Sequence, residues 1–370
     1  MGLNLIDKLM TEAVETGATY VEFVVSVQNI SFTSDGGIRK STRNYRRTAA
    51  EIHADERVLK RISDRNLLFS KQLNKITVTL MDGRSAVFNR CDNGKYCTVT
   101  ARRVSEKKEK RFSYVRFFAD DLQDTGIAFL LKTLNNGKTQ IVSCTGEILK
   151  GVISTDLSTD LQFVLSGRFY SQNGLPDSNF DKENQQTIDS LASVMQGAIK
   201  EMLHLRLLSM SLFAVLPNTS DEDSDLTNAL IQSLKTVCRT YPVFKNRNGH
   251  YLSSLKIADG TDDVTKLFPQ VLAESVLNGR MWLEPYKRGG REECFLMDMG
   301  IPYFDRERFL KELFTESHFD DCRDILAAQN DKWIRSFYIF CTEPIAENSV
   351  KRQIISGFRN ICSIRDSRAG

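Results

Sequence analysis

The sequence lacks the long apolar runs and the cysteine pairs that mark several classes of protein. Its 370 residues contain no stretch of about 18 consecutive apolar residues, so a membrane span is not expected. The N-terminus lacks a basic region followed by an apolar one, so a secretory signal is not expected either. Eight cysteines are spread along the chain without a CxxC pair. This spacing favours reduced thiols and a cytoplasmic protein, with the nucleus as the other compartment.

Glycine is also missing from a long stretch, because none occurs between Gly37 and Gly83. A loop that cradles phosphates lets its backbone approach the ligand closely, and glycine permits that approach. We therefore expect no glycine-rich phosphate loop between these two positions.

The positive charge is concentrated in the first third of the chain. Residues 1–120 carry a net charge of +8, whereas the remaining residues carry −5. Two basic runs, Arg39–Arg47 and Arg102–Arg111, supply most of the excess. Such runs can bind phosphates, but they are more often solvated surfaces, and Glu106 and Glu109 dilute the second. Nucleic acid is therefore not the expected partner, unless the two runs converge on one face.

The first 217 residues read as a helix followed by a sheet and a covering helix. Apolar spacing predicts a helix over residues 4–16, which Gly17 ends, and a strand and a shorter strand then lead to a turn at 33–37. Asp82-Gly83 and Asn135-Asn136-Gly137 predict two hairpins. The strands expected around and after these turns are Lys75–Leu80, Arg84–Phe88, Tyr96–Val104, Phe112–Phe118, Ile127–Thr133, Thr139–Cys144 and Leu161–Leu165. Leu161–Leu165 is expected to be the last strand of this set. A long helix that begins near residue 184 and runs or kinks into Leu205–Leu216 is expected to cover the sheet.

The acidic segment Thr219–Asp225 reads as a linker to a compact C-terminal unit. Strand, turn and strand are expected over Tyr241–Leu255, a short strand at Met281–Pro285, and an edge segment at Ile361–Arg368. Helices are expected at Val264–Leu277, Asp305–Leu313, Phe319–Ala328 and Lys332–Cys341. The predicted fold class is α/β, in the α+β sense, with domains at 1–53, 54–217 and 226–370.

The order of helix, Gly-Ala, strand, strand and Asp-Gly turn resembles the first nucleotide-binding motif of the GHKL ATPases, in its sacsin-like form. Leu5–Val21 and Ser34-Asp35-Gly36 carry this resemblance. Arg65–Val78 is similar to the entry into the sacsin-like middle region, and Gly167-Arg168-Phe169 to the segment before that family's long helix. The resemblance implies a truncated Bergerat-like helix-hairpin remnant, a mixed-sheet middle domain with a long covering helix, and a C-terminal α/β unit.

In that family the helix supplies a Glu that activates water and, one turn later, an Asn that holds Mg²⁺. Here Lys8 falls on the Glu position and Glu12 on the Asn position. The adenine-reading Asp falls on Ser34, unless the register slips and Asp35 serves with Gly36. A protonated lysine is no general base, and a second carboxylate adds negative charge beside phosphates.

Lys8, Glu12, Asp35 and Gly36 are therefore the candidate cofactor-binding residues, at degenerate nucleotide positions. No catalytic residue and no metal ligand is assigned. We expect no cofactor, unless a partner chain completes the pocket for ATP and Mg²⁺.

The resemblance implies chaperone-related work on protein clients or with a co-assembling chain. Because the residues at the catalytic positions are replaced, we expect a protein-interaction module without ATP turnover, related to sacsin-like proteins and the large heat-shock chaperone. Two alternatives stay open: a GHKL ATPase completed in trans, and a nucleic-acid-associated factor that uses the basic N-terminal third.

Overall fold

The structure is a computed structural model that describes residues 5–26, 30–41, 62–103, 108–120, 125–150, 153–169, 182–342, 354–357 and 359. The chain divides into two compact units, Met1–Leu234 and Lys235–Gly370. Each unit is described by itself.

The first unit is built on one twelve-stranded mixed sheet. Its order is β11-β10-β12-β8-β7-β6-β5-β4-β1-β2-β3, and β9 pairs with β8 off this path. The pairs β1–β4 and β10–β12 are parallel, and the other pairs are antiparallel. The strands are β1 (Tyr20–Val25), β2 (Ile30–Ser34), β3 (Arg39–Ser41), β4 (Lys75–Thr79), β5 (Ser85–Asn93), β6 (Tyr96–Arg102), β7 (Lys110–Phe118), β8 (Gly126–Thr133), β9 (Thr139–Val142), β10 (Gly146–Lys150), β11 (Ile153–Thr159) and β12 (Val164–Ser166).

The sheet curls, so that strands from its two ends share one hydrophobic core with the first helix, α1 (Leu5–Glu15). Phe23 of β1 and Phe32 of β2 lie in the same buried cluster as Leu149 of β10 and Val164 of β12. Helix α1 directly precedes β1 in the sequence, yet it also contacts β11 at the opposite end of the sheet. Large twisted sheets often curl in this way, and here the curl buries the inner face.

A helix covers one part of the outer face of the sheet. Helix α2 (Lys182–His204) contacts β7 and β8, where Val115 and Phe117 are buried. On β4 the alternation is regular, with Ile76 and Val78 in the inner core and the intervening side chains outward and half-exposed or exposed. In the part of the chain that the structure describes, the outward side chains of β6, β5, β4, β1 and β2 are half-exposed or exposed, so solvent reaches this part of the outer face.

The predicted hairpins are confirmed. Strands β4 and β5 are joined through Gly83, whose φ is +79°, and β8 and β9 through Gly137, whose φ is +77°. Only glycine adopts such angles without steric cost, which is why these turns are readable from the sequence.

Three strands of this sheet, β3, β10 and β11, were not predicted. The last predicted strand is β12, and it is the last strand of the sheet in chain order, as expected. In space it lies between β8 and β10, and β11 is the strand at that end of the sheet.

The long covering helix is shorter than predicted. α2 ends at His204, and Arg206 adopts a φ of +58°. Leu207 N donates to Met202 O (2.9 Å) and Arg206 N to Leu203 O (3.1 Å), which is the bonding pattern of a Schellman motif. After this turn, the next helix is the four-residue α3 (Met210–Phe213).

The second unit holds a small parallel sheet and a group of helices. β15 (Ile257–Gly260) lies between β16 (Met281–Trp282) and β17 (Tyr303–Phe304), beside the hairpin of β13 (Phe244–Lys245) and β14 (Tyr251–Leu252). The strand-turn-strand, the short strand at 281 and the three last predicted helices are confirmed, whereas Ile361–Arg368 lies outside the described residues. Helix α4 (Asp225–Thr240) begins before the boundary at residue 235 and ends after it. The other described helices of this unit are α5 (Asp262–Leu267), α6 (Gln270–Val276), α7 (Arg291–Asp298), α8 (Arg306–Leu313), α9 (Glu316–Ala327) and α10 (Asp331–Thr342).

The helix predicted over 264–277 is two helices, since Pro269 separates α5 from α6. Phe268 at this break is fully buried, and its ring lies 4.5 Å from that of Phe309 and 5.5 Å from that of Trp333. Trp282 Nε1 donates to Phe268 O (2.6 Å). The break thus positions an aromatic core.

The predicted fold class is confirmed at the level of a mixed α/β protein with a large mixed sheet. The seven cysteines within the described residues are free thiols. Among the described helices, none is both long and apolar enough to cross a membrane.

Candidate functional site

Asp35 lies in the turn between β2 and β3 and binds the start of β1. Its Oδ1 accepts hydrogen bonds from the backbone N–H groups of Thr19 (2.8 Å) and Tyr20 (3.0 Å), and its Oδ2 accepts from Thr19 Oγ1. The Thr19 side chain, followed by the Tyr20 backbone, lowers the pKa of Asp35. Both carboxylate oxygens are therefore engaged by the chain itself.

Gly36 packs against the C-terminal end of α1. A Cβ at this position would lie 2.8 Å from Thr16 Oγ1 and 3.5 Å from the Cβ of Ala18. Thr16 Oγ1 is itself held by Glu12 O and Ala13 O, both at 3.0 Å. The absence of a side chain at Gly36 thus serves the contact between turn and helix.

Lys8 and Glu12 lie one turn apart on α1. Lys8 is exposed, and the Glu12 carboxylate forms an ion pair with Lys40 Nζ of β3. Thr16, which Gly36 contacts, lies eight residues beyond Lys8, or about 12 Å along the helix axis. The structure therefore brings Asp35 and Gly36 to one end of α1, joins Glu12 to β3, and leaves Lys8 at the surface.

A buried arginine that was not identified from the sequence holds residues 62–74, the segment that precedes β4. The side chain of Arg90 is 1% exposed and points inward from β5. Its Nη1 donates to Leu67 O (2.6 Å) and to Ser70 O, and its Nη2 donates to Asn74 Oδ1 (2.8 Å) and Lys71 O (3.2 Å). Burial lowers the pKa of Arg90. One guanidinium thus satisfies four acceptors of an irregular segment.

A second buried arginine repeats this arrangement from β7. Arg116 Nη1 donates to Leu68 O (2.7 Å), and its Nη2 lies 2.8 Å from Asp92 Oδ1. Asp92 also lies 3.4 Å from Arg90 Nε, so one carboxylate faces both cations. The Nε atoms of both arginines are buried without a hydrogen-bond acceptor.

The start of the same segment is fixed by a buried aspartate. Asp64 Oδ2 accepts from Tyr114 Oη (2.7 Å), and its Oδ1 accepts from Arg103 Nη2 (3.2 Å). Burial and the charge of Asp64 raise the pKa of Tyr114. Arg65 Nη1 donates to Glu147 Oε2 (2.8 Å) of β10. The segment therefore bridges the middle and one end of the curled sheet.

In the second unit, a polar cluster lies at the carboxyl end of the central strand, β15. Asp259 Oδ2 accepts from Tyr286 Oη (2.9 Å) and from Arg288 Nη2 (2.6 Å). The Arg288 guanidinium lies 3.8 Å from the ring centroid of Tyr303, and its Nη1 donates to Glu293 Oε1 (3.1 Å). Burial raises the pKa of Asp259 and outweighs the opposing charge of Arg288. Asp259 and Glu293 therefore share the single guanidinium of Arg288 at this end of the sheet.

No group of three or more His, Cys, Asp or Glu side chains in the described ranges is placed to hold a metal ion. On α10, Ile334, Arg335, Tyr338 and Ile339 line a shallow surface cavity of about 420 Å³. Tyr338 is 53% and Ile339 59% exposed, although the opposite side of α10 contributes Phe337 to the core.

No family model, no curated protein and no solved structure matches this chain.

Proposed function

We propose that this chain is a chaperone-related protein-interaction module of the sacsin-like type that binds polypeptide clients without ATP turnover. The observation that carries the proposal is the engagement of Asp35, which would read adenine if the register slips from Ser34, by Thr19 and Tyr20. An aspartate whose two oxygens accept bonds from its own chain has lost capacity for a nucleotide amine.

The contact between Glu12 and Lys40 supports the same proposal, because it gives the would-be Mg²⁺ position a partner within the sheet. The exposed apolar side of α10 supports client binding. Ile339 and Tyr338 are large apolar groups in water, and the clients we propose are unfolded polypeptides that expose apolar side chains of their own.

Two measurements test the proposal. Calorimetric titration with ATP and Mg²⁺ should give no saturable heat in the micromolar range. Light scattering should show that the chain suppresses aggregation of a reporter enzyme diluted from denaturant, to the same extent with and without ATP.

A matched pair of variants locates the client surface. Ile339→Lys should weaken the suppression, whereas Val271→Lys, at a side chain that is 80% exposed and outside the α10 cavity, should not. Micromolar ATP binding, ATP-dependent suppression or a complete lack of suppression would each contradict the proposal.

A further inference from the structure

The open part of the outer sheet face carries four exposed cations. Arg39, Lys75, Arg102 and Arg111 come from four different strands, β3, β4, β6 and β7. Along the described strands β1–β7, Glu22 is the one acidic side chain on this part of the face, and it is half-exposed. The face is therefore electropositive, although the whole chain has a net charge of only +3.

The strand registers place these cations in two cross-strand rows. One row runs from Arg39 through Thr33, Glu22, Thr77 and Val87 to Arg102. The other runs from Lys75 through Asn89 and Thr100 to Arg111. At about 4.8 Å per strand, the rows span about 24 Å and about 14 Å. Arg39 of the first basic run thus shares one face with Arg102 and Arg111 of the second, and Thr42–Arg47 lie outside the described residues.

Most of the groups between the cations are hydrogen-bonding. They are the half-exposed side chains of Ser31, Thr33, Thr77, Thr79, Asn89, Thr98, Thr100 and Ser113, and the apolar side chains among them are the half-exposed Val24 and Val87. Protein interfaces draw their affinity from buried aromatic and apolar anchors, whereas phosphate contacts come from Arg, Lys, Ser, Thr and Asn. The composition of this face therefore favours a phosphate backbone over a protein partner.

Two tyrosines give the same face rings that can stack. Tyr20 and Tyr96 are half-exposed, and Lys75 Nζ lies 5.1 Å from the centroid of the Tyr20 ring. A sheet face with cations and aromatic rings suits unpaired bases, whereas a duplex needs an element that enters a groove. We propose that the open outer face, defined by Arg39, Lys75, Arg102 and Arg111, binds single-stranded nucleic acid through its phosphates.

The test is binding of the full chain to a fluorescein-labelled single-stranded 20-mer, followed by anisotropy at increasing salt. Four phosphate contacts on a single strand give a slope of log K against log salt of about −3, so affinity should fall about 50-fold between 50 and 200 mM salt. The variant Arg39→Gln, Lys75→Gln, Arg102→Gln, Arg111→Gln should lose at least about tenfold at 50 mM and flatten this slope.

The control removes the same charge elsewhere in the first unit. Lys71, Lys132, Lys138 and Lys200 are exposed and lie outside this face, and their joint replacement with glutamine should change affinity less than about twofold. Unchanged circular dichroism and melting of both variants would show that the fold is retained.

Four results would overturn the proposal: no binding by the parent at 50 mM salt, an equal loss in the control variant, tighter binding of a duplex of the same length, or displacement by polyglutamate at equal charge. The last would assign the face to an acidic protein instead.

Discussion

Replacing Arg90 with methionine removes the guanidinium that holds the 62–74 segment to the sheet. The substitution leaves the carbonyls of Leu67, Ser70 and Lys71 and the amide oxygen of Asn74 without their donor. Breaking a buried hydrogen-bonded charge network costs about 3–5 kcal/mol. The free energy of unfolding should fall by that amount, which is a large share of the roughly 5–15 kcal/mol of a typical domain.

The loss should be measured by urea unfolding followed by far-UV circular dichroism, with hydrogen exchange at residues 67–73. Dichroism is preferred because both tryptophans, Trp282 and Trp333, lie in the second unit, whereas Arg90 lies in the first. Amide exchange in the segment should accelerate more than exchange in β5 and β6, because the segment loses its attachment first.

Two further substitutions test whether the loss comes from the guanidinium's several hydrogen bonds, from its charge, or from any arginine substitution at the surface. Arg90→Lys keeps the charge, but one ammonium cannot reach acceptors on both sides, so we expect a loss above about 2 kcal/mol. Arg84→Met breaks an ion pair with Asp82 whose side chains are 58% and 47% exposed, and it should cost less than about 1 kcal/mol. An Arg90→Met protein within about 1 kcal/mol of the parent, with unchanged exchange, would refute the reasoning.

Three other predictions follow from single residues. Arg206→Gly should raise the free energy of unfolding by about 0.5–1 kcal/mol in urea titration, because glycine adopts the left-handed φ at the end of α2 without steric cost; Arg206→Ala should show no gain. Iodoacetamide at pH 8 should label exposed Cys91 and spare Cys97, whose pKa burial raises to about 12, and mass spectrometry of an equally modified Cys97 would contradict this. The folded pKa of Asp35 is lowered, so its stabilisation is complete above the ordinary aspartate pKa and is lost as pH falls through the folded one. The Tm difference between parent and Asp35→Ala should therefore shrink toward pH 3, and a constant difference would count against the Thr19 contacts.

Elements fixed by local chemistry were predictable from the sequence. The hairpins at Gly83 and Gly137 follow from turns that require positive φ, and α1 from its apolar spacing. β3 was missed because its three residues, Arg39–Ser41, are polar or charged and pair only through β2. β10 pairs with β11 on one side and, in parallel, with β12 on the other, and local composition does not reveal the parallel pairing.

The buried arginines show a signal that sequence reasoning missed. Ala86, Phe88 and Arg90 occupy alternate, inward positions of β5, so the charge of Arg90 falls where the pattern demands an apolar residue. A charged residue at an inward position of a strand with clear apolar alternation predicts a buried hydrogen-bond network around that charge. Its acceptors lie about twenty residues earlier in an irregular segment, so they could not be named without the fold.

The place of β1 in the sheet explains why Glu12 and Asp35 make structural contacts. β1 has β2 on one side and β4 on the other, and Phe23 and Phe32 are buried in the core that the curled sheet shares with α1. Without residues 5–41, β4 would become an unpaired edge and that core would face water. The predicted boundary at residue 53 therefore separates two segments of one sheet. Asp35 ties the β2–β3 turn to β1, and Glu12 ties α1 to β3. These contacts join the β2–β3 turn and α1 to the sheet whether or not a nucleotide binds.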